Sequence, residues 1–119
     1  MAIWIAASKT HLYPDVFLVC GKGQTNGSHR TQITNPKLIV EVLSPSTRDY
    51  DLSGKFSLYQ AIPTLEEYLA FETDKPELHY WSKGPGGKWT RKKFSGPEAN
   101  VAIRALGKSL SLAEIYPAA

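Results

Sequence analysis

Apolar residues occur along this chain in short runs, and the most regular run carries a carboxylate in its middle. Leu38-Ile39-Val40-Glu41-Val42-Leu43 follows Asn35-Pro36, and a run of this length predicts a strand buried on both faces of a sheet. A carboxylate is rarely buried alone, because removing its charge from water costs more than its packing returns. The pattern therefore predicts a positive partner for Glu41, either a metal ion or a lysine.

Shorter apolar and alternating segments predict the other strands of an α/β domain with a mixed, mostly antiparallel sheet. The expected strands are residues 3–7, 15–20, 67–71, 77–82, 88–94 and 100–103, and a short helix or turn is expected at 110–116. Residues 21–35 are rich in Gly, Asn, Ser and Thr. That composition predicts a polar, mobile loop.

One principal helix is predicted directly after the Glu41 strand. Ser46 or Thr47 is the expected N-cap, and Pro63 ends the helical pattern. The predicted inner face of this helix has members at i, i+3, i+4 and i+7, namely Leu52, Lys55, Phe56 and Tyr59. The stem of Lys55 should therefore lie on the sheet, with its ammonium directed toward the carboxylates.

Composition limits the class of protein without identifying it. The chain has 119 residues and is 42% hydrophobic, which is enough for the core of one domain. A formal charge of +3 permits a polyanionic partner but does not require one. The single cysteine, Cys20, excludes an intramolecular disulfide and favours a cytoplasmic location. No apolar run reaches the length of a membrane span, so no membrane partner is expected.

Asp15 is the second candidate acid, because it opens the strand expected at residues 15–20. If that strand lies beside the Glu41 strand, the two acids are held about 4.8 Å apart. Two carboxylates at that spacing repel unless they share a cation, and oxygen ligands suit Mg²⁺ or Mn²⁺. With Lys55 nearby, such a site suits phosphodiester hydrolysis. Residue types alone leave a second interpretation open, a buried Asp–Lys–Glu ion network without catalysis.

Two further features carry weaker signals. A basic, aromatic hairpin is predicted, with Lys83, Lys88, Arg91, Lys92 and Lys93 beside Trp81 and Trp89. It could contact phosphates, but lysines that protect a solvated hairpin edge are the commoner explanation. The histidines at positions 11, 29 and 79 show no metal-ligand spacing and are expected at the surface.

Several separated blocks resemble a large bacterial family of restriction endonucleases within the PD-(D/E)XK nuclease superfamily. The blocks are Tyr13-Pro14-Asp15-Val16, Asn35-Pro36, Val40-Glu41-Val42-Leu43-Ser44-Pro45-Ser46-Thr47, Asp51, Lys55-Phe56, Tyr59, Ile62-Pro63, Glu67-Tyr68 and Leu112-Ala113-Glu114-Ile115-Tyr116. They keep the family's order and spacing over essentially the whole chain. The resemblance implies a restriction-endonuclease-like fold, with a mixed β-sheet and one principal helix packed on it.

The resemblance also implies a set of site residues. Pro14-Asp15 corresponds to the PD of the superfamily, and Glu41 to its second acid. The usual lysine would stand at position 43, which is Leu43 here, so the resemblance points to Lys55 on the following helix. Asp15, Glu41 and the backbone carbonyl of Val42 are then the expected ligands of Mg²⁺ or Mn²⁺, Lys55 is the catalytic cation, and DNA is the substrate.

The chain departs from the resemblance at its N-terminus. Relatives carry an N-terminal portion with a helix that packs on the sheet, so residues 1–119 are expected to form a domain that lacks this portion. An uncovered sheet face should expose an apolar patch, and we therefore expect a homodimer or poor solubility. The alternative function is an inactive module that keeps the fold and binds DNA or protein.

Overall fold

The computed structural model describes residues 2–19, 21–26 and 29–116, and Cys20 lies outside the described residues. Eleven strands occur in this part of the chain: β1 (Ala2–Ile5), β2 (Thr10–Leu12), β3 (Val16–Leu18), β4 (Thr25–Asn26), β5 (His29–Ile33), β6 (Leu38–Val42), β7 (Glu67–Phe71), β8 (Glu77–Lys83), β9 (Trp89–Ser95), β10 (Asn100–Ile103) and β11 (Lys108–Ser111). Two short helices are α1 (Lys55–Tyr59) and α2 (Leu112–Ile115). A π-helical segment, Tyr50–Gly54, leads directly into α1.

The central sheet has five strands in the order β3-β6-β7-β8-β9. Strands β6 and β7 are parallel, with Glu41 opposite Ala70, whereas the other neighbouring strands are antiparallel. This arrangement confirms the predicted mixed, mostly antiparallel sheet with one principal helix. The Glu41 strand lies between an antiparallel and a parallel neighbour, and both neighbours help to position its side chains.

A second sheet contains the segment for which the sequence predicted a loop. Its order is β2-β1-β5-β4, and β4 and β5 both fall within residues 21–35. The loop prediction is wrong because pairing with β1 supplies what local composition lacks. Ile33 lies opposite Ile3 in a parallel register and is 6% exposed. Strand propensity depends on such packing more than on composition.

The helix begins differently from the prediction. Neither Ser46 nor Thr47 caps the π-helical segment, whose N-cap is Asp49 and has no side-chain cap hydrogen bond. The hydroxyl of Thr47 instead donates to the Asp51 carboxylate at 3.0 Å and lies 2.6 Å from the Ser44 hydroxyl. The polar turn after β6 is therefore used to hold Asp51.

The two faces of the central sheet have different cores, because alternate residues of a strand point to opposite faces. On the α1 face the core includes Ile39, Leu43, Tyr59, Tyr68 and Trp81. On the other face Leu38, Leu69 and Leu78 pack against Val101 and Ile103 of β10 and Leu112 of α2. Glu41 lies on the strand between Ile39 and Leu43 and therefore points to the α1 face.

The strand is not buried on both faces along its whole length. Val42 is 50% exposed, so the prediction fails at this end of β6. Val42 lines a groove of about 500 Å³ on the face opposite α1, with Val40, Leu69, Phe71 and Leu106. The groove is apolar, and the homodimer stays a prediction. In the described part of the chain no helix combines the length and apolar character needed to cross a membrane.

Candidate functional site

The structure brings Asp15 and Glu41 together across two adjacent strands. The register pairs Val16 with Val40, which places Asp15 opposite Glu41 just before β3 begins. The Asp15 N–H donates to Glu41 Oε1 at 3.1 Å, and Asp15 Oδ2 accepts the Val42 N–H at 2.6 Å. Each carboxylate thus accepts a hydrogen bond from the other strand's backbone, and the pair is held in a fixed geometry.

The two acids differ in burial. Glu41 is 2% exposed, and burial raises its pKa above the ordinary value, although the Lys55 ammonium and the Asp15 N–H act in the opposite direction. Asp15 is exposed, so the expectation that both acids are buried is wrong for Asp15. The reason is position: Asp15 precedes a three-residue strand at the edge of the sheet. The site therefore has one buried carboxylate and one that solvent can reach.

Lys55 lies between two buried carboxylates. Its Nζ is 3.0 Å from Glu41 Oε2 and 3.1 Å from Asp51 Oδ1. Burial disfavours the ammonium, but its hydrogen bonds and charge interactions with Glu41 and Asp51 outweigh that effect and raise the lysine pKa. The side chain is therefore charged, as the position of Lys55 on the inner face of the helix predicted.

Asp51 is a site residue that the sequence reasoning did not include. It is 3% exposed, and its Oδ2 accepts from Thr47. Although the ammonium is close, Oδ1 receives no well-directed hydrogen bond from any residue that the structure describes. The i, i+4 spacing of Asp51 and Lys55 could have identified Asp51 from the sequence, because it places an acid and a base on one helical face.

Two buried tyrosines hold the acids from the core side. The Tyr59 hydroxyl donates to Glu41 Oε2 at 3.4 Å, and the Tyr68 hydroxyl donates to the Asp51 carbonyl at 2.7 Å. Both tyrosines are fully buried, and burial together with the nearby carboxylates raises the pKa of each. They therefore remain neutral hydrogen-bond donors and keep Glu41 and the π-helical segment in place.

The donor set suits a hard divalent cation. We call Asp15, Glu41, Asp51 and Lys55 the acidic cluster, which contains three carboxylates and one ammonium. Carboxylate and carbonyl oxygens are the ligands that Mg²⁺ and Mn²⁺ prefer. The buried Asp51 Oδ1 has the Lys55 ammonium at 3.1 Å as its ion-pair partner but accepts no well-directed hydrogen bond from the described residues. Val42, whose carbonyl was the predicted third ligand, directly follows Glu41 and is tied to Asp15 through its N–H.

A second charged cluster lies on the same face of the sheet. Glu72, Glu77 and His79 offer three ligand atoms within 4.8 Å of one another. Arg48 donates from Nε and Nη2 to both Glu72 oxygens at 2.8 to 3.2 Å. Those bonds lower the pKa of Glu72 to about 2. Lys93 lies 3.1 Å from Glu77. Counting Arg48, Arg91, Lys75 and Lys93 with the three ligand residues, we call this group the basic cluster.

His79 is buried, so its predicted surface position is wrong. It is 3% exposed, and its Nδ1 lies 2.7 Å from Arg91 Nη2. A guanidinium can only donate, so Nδ1 accepts and the ring proton resides on Nε2. That N–H then donates to Glu72 at 2.9 Å. Because Nε2 carries the proton, it has no lone pair for a metal, and the basic cluster is better explained as an ion network.

The predicted aromatic hairpin contributes its tryptophans to the core. Trp81 is 5% exposed and stacks on Phe56 with ring centroids 4.9 Å apart. Arg91 lies 4.9 Å from the Trp81 ring centroid, and Lys83 lies 5.7 Å from that of Trp89. Trp81 is buried in the core and Trp89 is partly buried against it, which favours the interpretation of a protected hairpin edge.

Comparison with known proteins gives a consistent family. The model of the Uma2 family, described as "Putative restriction endonuclease", matches residues 1–114. Uncharacterized protein sll1609 of Synechocystis sp. (strain ATCC 27184 / PCC 6803 / Kazusa) is 33% identical over 101 residues, which are 85% of this chain and 57% of that protein. Uncharacterized protein slr1290 of the same organism is 32% identical over 116 residues, 98% of this chain and 60% of that protein.

A solved structure shares the fold. The crystal structure of a putative nuclease belonging to DUF820 from Anabaena variabilis ATCC 29413 superposes with a TM-score of 0.74 at 13% identity. The match covers 97% of this chain and 64% of that one. The chain thus spans less than two thirds of the length of these relatives.

Proposed function

The chain belongs to the Uma2 family of restriction-endonuclease-like proteins, and we propose that it is a metal-dependent endonuclease that hydrolyses DNA phosphodiester bonds. The acidic cluster supports this proposal, because it gathers three carboxylates and only one ammonium, which lies 3.0 Å from Glu41 and 3.1 Å from Asp51. Asp15, Glu41 and the Val42 carbonyl would hold Mg²⁺ or Mn²⁺. A bound ion of this kind polarises a phosphate and lowers the pKa of an attacking water.

The other residues of the site have supporting roles in this proposal. Lys55 orients the attacking water or offsets the charge that develops on the phosphate. Asp51 remains an ion-pair partner of the Lys55 ammonium when Glu41 binds the metal ion. Tyr59 restrains the Glu41 carboxylate from the core side. Asp15 faces solvent, so the substrate would approach from its side of the sheet.

One observation favours the alternative, an inactive module that binds DNA or protein. The Lys55 ammonium already lies 3.0 Å from Glu41, so the buried acid has a counter-charge without a metal. In that case the acidic cluster is a structural ion network, and no divalent cation is needed. Metal binding separates the two functions.

The test measures the melting temperature with and without Mg²⁺ or Mn²⁺, together with cleavage of DNA. A cation that binds only the folded state should raise the melting temperature. At a hundred times its Kd it adds about 2.7 kcal/mol to the free energy of unfolding. Glu41→Gln keeps the size of the side chain but removes a ligand charge, so it should abolish both the shift and the cleavage without unfolding the protein. Glu72→Gln, the matched change in the basic cluster, should retain both.

The absence of metal binding would support the alternative function. If neither metal shifts the wild-type melting curve and Glu41→Gln only destabilises the protein, the acidic cluster is structural. The inactive-module function is then correct.

A further inference from the structure

We propose that Tyr50 forms a stacking subsite for an unpaired nucleobase beside the acidic cluster, an inference that rests on DNA being the substrate. Tyr50 opens the π-helical segment and is 48% exposed. Lys55 Nζ lies 5.9 Å from its ring centroid. The ring therefore stands at the solvent side of the site, next to the group assigned to the reacting phosphate.

The Tyr50 ring lies over Gly54, a residue without a side chain. A Cβ at Gly54 would lie 2.5 Å from Tyr50 Cδ1 and 2.8 Å from Cε1, closer than real contacts allow. Gly54 has φ −62° and ψ −52°, an ordinary right-handed helical conformation. The backbone at this position suits any residue, so the close contact reflects where the ring lies: it packs directly over Gly54, and a larger residue there would displace it.

The interactions of Tyr50 leave its ring accessible. Within the described residues, no hydrogen bond ties its hydroxyl to the protein, and its recorded ring partner is the Lys55 ammonium. Trp81 differs, because it is buried and stacked on Phe56. A tyrosine side chain has only two torsions to fix, so an exposed ring loses little conformational entropy when a flat ligand stacks on it. This is the property of a binding platform.

The chemistry of the ligand follows from the geometry. Every nucleobase has a π-face, so stacking on an aromatic ring tolerates any sequence. In a duplex these faces are covered by the neighbouring base pairs, and only an unpaired or splayed base can reach the Tyr50 ring. The site should therefore prefer single-stranded or frayed DNA to intact duplex.

Binding of an oligonucleotide that carries 2-aminopurine tests the subsite directly, because stacking on an aromatic ring quenches its fluorescence. The titration is made in EDTA, so that it does not depend on metal or cleavage. We expect quenching and binding of the single strand by the wild type and by Tyr50→Phe. Tyr50→Leu should weaken binding about tenfold and abolish quenching. Gly54→Ala, which displaces the ring without removing it, should act like Tyr50→Leu.

Several outcomes would overturn the proposal: equal affinity and quenching for wild type and Tyr50→Leu, or duplex bound as tightly as single strand. The result is separable from the proposed catalysis. Weaker oligonucleotide binding in Tyr50→Leu but not in Tyr50→Phe, with no cleavage under any metal, would leave the subsite standing and remove the nuclease activity. If cleavage depends on Glu41 but Tyr50→Leu leaves it unchanged, the nuclease activity is supported and the stacking subsite is not. Circular dichroism of each variant confirms that the fold is intact.

Discussion

Two charged clusters lie on the same face of one sheet, and they differ in how their charges are balanced. In the acidic cluster the ammonium of Lys55 contacts Glu41 and Asp51, and Asp15, which is hydrogen-bonded to the Glu41 strand, is a third carboxylate beside them. In the basic cluster two carboxylates, Glu72 and Glu77, meet four cations and a neutral histidine, which are Arg48, Arg91, Lys75, Lys93 and His79. One cluster carries surplus negative charge, and the other carries surplus positive charge.

This difference shows why proximity of ligand atoms is a poor guide to a metal site. The basic cluster gathers two carboxylates and an imidazole within 4.8 Å, yet Arg48 and Arg91 already hold Glu72 and His79. The acidic cluster has no histidine, but it has three carboxylates for one ammonium, and one of these acids is open to solvent. Unsatisfied negative charge is the more informative criterion, because it is what a cation would neutralise.

The largest effect is expected where one ammonium serves several acids. Lys55→Met keeps the apolar stem but removes the charge, which leaves Glu41 and Asp51 buried at 2% and 3% exposure without a counter-ion. The free energy of unfolding in EDTA should fall by about 3 kcal/mol. Mg²⁺ should restore stability more in this variant than in the wild type, since the ion replaces the missing cation. Urea melts with and without Mg²⁺ measure both quantities.

An unchanged free energy of unfolding in Lys55→Met would contradict the charge balance described for the acidic cluster. Lys37→Met is a suitable control, because Lys37 pairs with a 42%-exposed Glu66 at 3.6 Å. Its effect should be small and insensitive to Mg²⁺.

An intermediate effect is expected at Glu72 in the basic cluster, and it depends on pH. The folded pKa is about 2, below the usual 4.5, because Arg48 hydrogen-bonds the carboxylate. A lowered pKa stabilises the fold above pH 4.5, and this contribution is lost as the pH falls through 2. Glu72→Gln should therefore cost about 1 kcal/mol at neutral pH, since the exposed Arg48 is screened by solvent. Its unfolding free energy should change less than that of the wild type between pH 4.5 and 2.

Denaturant melts across that pH range measure the difference. Parallel curves for wild type and variant would show that Arg48 does not hold Glu72 in solution. The variant's Mg²⁺-dependent stability should equal that of the wild type, which would separate the two clusters experimentally.

The smallest effect is expected at Lys93. Its Nζ lies 3.1 Å from Glu77, but the side chain is 55% exposed and Lys75 also lies 3.6 Å from that carboxylate. Lys93→Ala should change the free energy of unfolding by about 0.5 kcal/mol or less, and by less still in high salt. A loss above about 1 kcal/mol in thermal or urea melts would mean that the basic cluster has no surplus of cations.

The sequence predicted the centre of the acidic cluster because local patterns determine it. A carboxylate within an apolar run requires a partner, which pointed to a cation near Glu41. The i, i+3 and i+4 spacing placed Lys55 on the inner face of the helix, and the structure puts its Nζ 3.0 Å from Glu41. Strands β7 and β10 agree with the predicted bounds for the same reason, since each shows a short apolar or alternating pattern.

The remainder depends on contacts between distant segments. His79 is buried between Arg91 of β9 and Glu72, which directly follows β7. No local sequence pattern predicts contacts between these segments. Strands β4 and β5 form because β1 pairs with β5. Asp15 is exposed because β3 is only three residues long. Each of these outcomes is decided by a partner far away in sequence.

The π-helical turn at Tyr50–Gly54 affects where the residues after it are placed, Lys55 among them. A π-helical turn contains about one residue more than an α-helical turn, and this one directly precedes Lys55. Loss of a single codon between Thr47 and Lys55 would allow a regular α-helix, whose residues are spaced by about 100° around the axis. Because the wider turn is where the extra residue is taken up, the helix after it would keep its face toward the sheet, with the lysine still directed at Glu41. A one-residue gap at this point in a homologous gene is therefore compatible with the site, whereas the same gap within α1 would turn the later residues of the helix away from the sheet.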